Sequence, residues 1–138
     1  MRKIFHSILL GYICLVFLFC TSKSHHYLVG AWDMADGKQI MIFKNDSTMS
    51  WVLNDLVVPD TFHLRYKTDE TKSPNRIDIY NFKHGILVDK MLVGILDHFS
   101  KDSILLDFRP IERWADADSI RPTAFDTGTK RILVRHNK

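Results

Sequence analysis

A period of two constrains this chain more than any other feature. From residue 61 to 67 the side chains alternate strictly, Phe62, Leu64 and Tyr66 against His63, Arg65 and Lys67. Successive side chains of an extended strand point to opposite faces, so such a run buries one face and wets the other. The same pattern returns along the chain. Met49, Trp51 and Leu53 alternate within 48–54, Ile77 and Ile79 oppose Asp78 and Tyr80 within 76–82, and Ile104, Leu106 and Phe108 oppose Leu105, Asp107 and Arg109 within 103–109. Further strands are read at 28–34, at 38–44, where Ile40 and Ile42 share one face and Met41 and Phe43 the other, and at 129–136. Residues 86–99 hold two apolar runs split by Asp89-Lys90, with Gly94 marking a bend or bulge. Asp36-Gly37, Asn45-Asp46-Ser47, Pro59-Asp60, the polar stretch before Pro74 and Lys83-His84-Gly85 are turn signals. Residues 110–121 are irregular, with a helical turn at 111–117. About eight short strands at this spacing predict an all-β antiparallel fold, and closure as an up-and-down barrel removes both sheet edges.

The first twenty residues follow a different rule. Arg2 and Lys3 precede an uncharged run from Ile8 to Phe19, and the polar stretch Thr21-Ser22-Lys23-Ser24-His25-His26 follows Cys20. A basic start and a short apolar run are the pattern of a secretory signal peptide. The run is shorter than the ~20 residues a bilayer-spanning helix needs. Residues 1–19 are therefore read as a signal helix, 20–27 as a polar tether and 28–138 as the folded domain. Cys20 stands where a bacterial lipoprotein signal places its acylated cysteine, although Phe17 and Phe19 replace that signal's Leu and small residue. Cys20 is the lipidation candidate; cleavage near Ser22 or Ser24 and an uncleaved anchor are the alternatives. The expected location is the cell envelope, attached to its membrane through the lipid or the signal. Cys14 leaves with the signal, so no intramolecular disulfide is available and the core alone holds the domain.

Within the domain, Gly30-Ala31-Trp32 is the Gly-x-Trp signature of lipocalins and their calycin relatives. Behind it, in order, come Phe43 through Asp46-Ser47-Thr48, then Pro74-Asn75-Arg76-Ile77-Asp78, Gly94-Ile95-Leu96, Phe108-Arg109-Pro110 and a closing strand from Lys130 to His136. Over residues 27–136 the chain resembles the small lipocalin-like domains of bacterial exported proteins. Ser47 departs from the family's turn Gly, and Leu96 stands where an aromatic is common. The resemblance implies a barrel plugged at one end by Trp32. It also implies an Arg of the last strand, Arg131 or Arg135, stacked on that indole, a contact worth ~0.5–2 kcal/mol. A small hydrophobic ligand in the barrel mouth is implied as well. The inward candidates for its contacts are Ile42, Trp51, Leu64, Tyr66 and Ile79, a set that turns outward if strand parity shifts by one residue.

Other chemistries find no footing. The 19 Lys and Arg are nearly matched by 16 Asp and Glu, for a formal net charge of +3, and no clustered basic face for nucleic acid is read. None of the His at 6, 25, 26, 63, 84, 98 and 136 sits in a zinc spacing. Asp116-Ala117-Asp118-Ser119 opens like a calcium loop, but Arg121 and Thr127 stand where that loop needs Gly and Glu. Asp107 and Glu112 are read as surface charges. No phosphate loop or nucleophile elbow occurs. The expectation is a monomer without enzymatic activity, cofactor or metal. An eight-stranded barrel is just wide enough for side chains to fill, so a second function is weighed beside ligand binding. It is a protein-interaction or structural module with a filled core, whose contact loop is the 110–127 segment carrying Trp114.

Overall fold

The computed structural model describes residues 27–137. The signal segment, Cys20 and most of the tether lie outside them. Eight strands follow one another: β1 (Gly30–Met34), β2 (Gln39–Phe43), β3 (Thr48–Leu53), β4 (Asp60–Asp69), β5 (Asn75–Tyr80), β6 (Met91–Ser100), β7 (Ser103–Ile111) and β8 (Arg131–Arg135). Each pairs antiparallel with the next and β8 returns to β1, so the sheet closes into an up-and-down barrel. The only helical elements among the described residues are a 3-10 turn (Trp114–Asp116) and the single-turn α1 (Ala117–Ile120).

The alternation read from sequence sets which side chains fill the barrel. Met41, Phe43, Met49, Trp51, Leu64, Tyr66, Ile77, Ile79, Ile104 and Leu106 are all buried in one cluster. The seam is β1 on β8, where Trp32 lies opposite Arg135 and Met34 opposite Leu133. The His136 imidazole adds a contact of 2.8 Å to the Asp33 carboxylate beside the seam.

Of the two apolar runs within 86–99, only the second is a strand. Residues 86–90 belong to the β5–β6 connection, because Asn81, Gly85 and Asp89 all take positive φ and turn the chain back on itself. The connection folds inward through Phe82, which is buried, and Leu87, which packs on the core. Its other apolar residues, Ile86 and Val88, point to solvent. Phe82 and His84 both lie against Phe62, at ring-centroid distances of 5.8 and 4.6 Å.

The β7–β8 connection, residues 112–130, is the longest and lies against the outer wall as a strap. β6 shows why. Leu92 and Leu96 face the barrel interior, yet Val93 and Ile95 on the outer face are buried too. A strand apolar on both faces needs cover on both, and the strap supplies the outer cover. It is fixed at two carboxylates that the strand alternation had placed in water. Asp107 is 0% exposed; it accepts from Arg109 Nη1, from the Asp126 backbone N–H (3.1 Å) and from the Thr129 hydroxyl (3.0 Å). Asp78, also buried, meets Arg121 Nη2 at 2.7 Å. Asp107 is thus an internal anchor and not the surface charge expected from its place on a strand's polar face.

Candidate functional site

The residues implied by the resemblance fall into two groups. Gly30, Trp32 and Arg135 form one unit. The Arg135 guanidinium lies 3.9 Å over the Trp32 ring. It donates to the carbonyls of Val29 (2.9 Å) and Tyr27 (3.1 Å). The indole N–H donates to Leu28 O at 2.7 Å. Gly30 is needed because its φ is +130° and a Cβ there would come within 2.5 Å of Arg135 Nη1. Arg131 shares the Arg135 face of β8 but sits four residues away, about 13 Å along a strand. It covers Phe108 instead, at 5.4 Å.

The five inward candidates also divide. Trp51, Leu64, Tyr66 and Ile79 are in the core, whereas Ile42 is on the outer face. The register explains the correction: Met41 pairs with Trp51, so Met41 shares its inward face, while Ile42 pairs with Ser50. The core side chains are engaged with one another. Phe43 meets Tyr66 edge-on at 5.0 Å and Trp51 meets Phe108 at 5.9 Å. Their polar ends are satisfied by the chain itself. The Tyr66 hydroxyl donates to Lys44 O (2.6 Å) and the Trp51 N–H donates to the Gln39 side-chain oxygen (3.0 Å). Burial pushes the Tyr66 phenol above its usual range, with the Asp46 carboxylate adding to the effect. Ile77, Ile79, Leu96, Leu106 and Leu133 each expose 1% of their surface or less, so they border neither solvent nor a void open to water. The interior is occupied by the protein's own side chains.

The outer wall carries a groove of about 500 Å3 instead, between strands β4 and β5 and the strap. Sheet register builds its floor. Lys67 pairs with Asp78 and Asp69 with Arg76 across β4 and β5, and these outward positions form two rows. The strap supplies the wall with Trp114, Ala117, Asp118 and Arg121. Arg121 is the pin, a residue that sequence reasoning missed. Its side chain is 7% exposed, ion-pairs with Asp78, and donates to Gly94 O (2.8 Å) and Ile77 O (3.3 Å). Gly94 permits the close approach of β6 and β7, since a Cβ there would run into the Asp107 carbonyl and Phe108. Arg76 Nη1 bonds Asp118 at 2.7 Å across the groove.

Trp114 stands at the rim and is 45% exposed, but it is held firmly. Lys67 Nζ lies 4.2 Å from its ring centroid, and Tyr80 meets it edge-on at 5.8 Å. Arg113 grips Asp116 through two hydrogen bonds of 3.0 Å, which fixes the turn that carries the indole. Asp116 in turn raises the Arg113 pKa through those bonds and its charge. Aliphatic side chains are also exposed at the loop tips on one end of the barrel, Leu56, Val57 and Val58 between β3 and β4 and Ile86 and Val88 between β5 and β6. Among the described residues no three His, Cys, Asp or Glu side chains gather where a metal ion would be held.

No family model, curated protein or solved structure matches the chain.

Proposed function

We propose that the protein is a non-catalytic recognition module of the cell envelope, a lipocalin-like barrel that presents its binding surface on the outer wall. The observation that carries this reading is the contrast between the barrel interior and the groove on its outer wall. The interior is occupied by side chains whose polar ends are already bonded, whereas the groove beneath Trp114 is open and bordered by ordered charged pairs. Binding sites are concave and carry polar groups held in fixed positions; the groove is concave, and its charged side chains are held in place by one another around a single aromatic ring. The filled barrel serves as a scaffold, and its two buried carboxylates fix the strap that carries the recognition residues. Export and envelope attachment rest on Arg2, Lys3, the apolar run to Phe19 and Cys20.

Chemical-shift mapping of the labelled protein against fractions of its native envelope tests the reading. Shifts confined to Lys67, Arg76, Trp114 and Arg121 are expected. Shifts centred on Trp51, Tyr66 and Ile79, or saturable binding of fatty acids that quenches Trp51, would return the function to an apolar ligand inside the barrel. No shift in any fraction would refute recognition through the groove.

A further inference from the structure

We infer that the groove is a site for an uncharged saccharide ring, seated against the indole of Trp114. The inference rests on the recognition reading above and names the class of ligand. It begins with the charge of the site. Three cations, Lys67, Arg76 and Arg121, and three carboxylates, Asp69, Asp78 and Asp118, border the groove, so it carries no net charge. A phosphate or carboxylate ligand would meet three fixed negative groups, and an ammonium ligand three positive ones. Neither is favoured by the local field.

The same pairs offer hydrogen-bond donors and acceptors side by side. Arg76 and Asp118 are joined at 2.7 Å, and Lys67 and Asp78 at 3.2 Å. Asp118 and Lys67 remain largely exposed, which leaves the outer side of each pair available. A sugar hydroxyl is both donor and acceptor, so vicinal hydroxyls match an array of this kind. An aliphatic ligand would strip water from these groups and return nothing, at a cost for every polar group left unpaired. The carbon-bound hydrogens on the flat side of a pyranose need an apolar surface, and the part of Trp114 left 45% exposed beyond its contacts with Lys67 and Tyr80 supplies it. An aromatic side chain provides large contact area with few rotatable bonds.

The site is also arranged in advance. Arg121 is pinned by Asp78 and two backbone carbonyls, and the turn bearing Trp114 is tied by Arg113 to Asp116. Little side-chain freedom is therefore lost on binding. A volume of about 500 Å3 lies within the range of small-ligand sites and accommodates one or two sugar rings.

Saturation-transfer NMR on the full chain in detergent tests the assignment. The probes are glucose, galactose, mannose, fucose, N-acetylglucosamine and maltose at millimolar concentration, with glucuronate, glucosamine and inorganic phosphate as charged comparators. At least one neutral probe is expected to receive saturation at its ring C–H protons. Trp114→Ala should weaken that binding about tenfold or more, as loss of an aromatic anchor does, and Asp118→Asn should weaken it less. An amide spectrum unchanged away from the strap shows that each variant is folded. Transfer to none of the neutral probes, or transfer that survives Trp114→Ala, overturns the assignment. Binding of a charged comparator alone overturns the ligand class while leaving recognition at the groove in place. Fatty-acid binding with shifts at Trp51 overturns both.

Discussion

Replacing Asp107 by Ala should loosen the strap before it unfolds the barrel. The carboxylate is 0% exposed and accepts from Arg109 Nη1, the Asp126 N–H and the Thr129 hydroxyl. Hydrogen bonds to a charged acceptor contribute ~1.5–3 kcal/mol each. Arg109 is one-third exposed and Thr129 is exposed, so both regain water once released, and the lower part of the range applies. Asp126 is an exposed residue as well, so its freed N–H is also within reach of water. Breaking one side of a buried ion pair typically costs ~3–5 kcal/mol, and a loss near ~3 kcal/mol is expected here. Arg121 still holds the other end of the strap through Asp78, Ile77 O and Gly94 O. Hydrogen exchange should therefore speed up at residues 124–130 far more than in β2 and β3. Urea unfolding measures the total, and exchange mass spectrometry measures where it falls. A loss below ~1 kcal/mol with unchanged exchange at Asp126 and Thr129 would refute the view of Asp107 as an anchor.

Trp32→Ala should cost ~3–5 kcal/mol in urea unfolding, because it removes a fully buried indole from the core. The two arginines of β8 should behave differently under the same assay. Arg135→Lys loses the double contact to the Val29 and Tyr27 carbonyls and the stacking on Trp32, at ~1–3 kcal/mol, while Arg131→Lys at its exposed site should change stability by less than ~0.5 kcal/mol. Asp46 is held below the usual carboxylate range by the Thr48 hydroxyl and backbone N–H. Its contribution is complete above the unfolded carboxylate pKa and disappears as pH falls through the depressed folded value. Thr48→Val should raise the NMR titration midpoint of Asp46 toward normal without abolishing the shift, since the backbone bond remains.

Most of the barrel could be read from alternation, since Phe62, Leu64, Tyr66, Ile77, Ile79, Ile104 and Leu106 sit at period two and all face the core. Gly30 and Trp32 were legible through the resemblance to lipocalins, because the contact that explains them, with Arg135, is more than a hundred residues away in the chain. Ile42 was placed inward because Ile40 and Ile42 are as apolar as Met41 and Phe43. Only the pairing of Met41 with Trp51 across β2 and β3 decides which face is inside. The first apolar run, ahead of Asp89-Lys90, is as hydrophobic as the second, but positive φ at Asn81, Gly85 and Asp89 turns the chain there. The groove was the least legible part. Asp78, Asp107 and Arg121 meet only when the strap crosses strands distant in sequence, and a polar residue on a strand's outer face does not announce that it is covered. One signal was present: Met91 to Leu96 is apolar on both faces apart from Gly94, which calls for a layer outside the sheet.

The seam between β1 and β8 carries a consequence for folding. Trp32 meets Arg135 across more than a hundred residues of chain, and the last strand is the piece that seals the cylinder. Before β8 docks, the sheet has two open edges, at β1 and β7, and the indole lacks the guanidinium that covers it. Unpaired edges invite pairing with other chains, and closure across a long loop is slow. The barrel therefore stays open, with both edges unpaired, until β8 is free to lie between β7 and β1. One short strand decides whether the sheet has two edges or none.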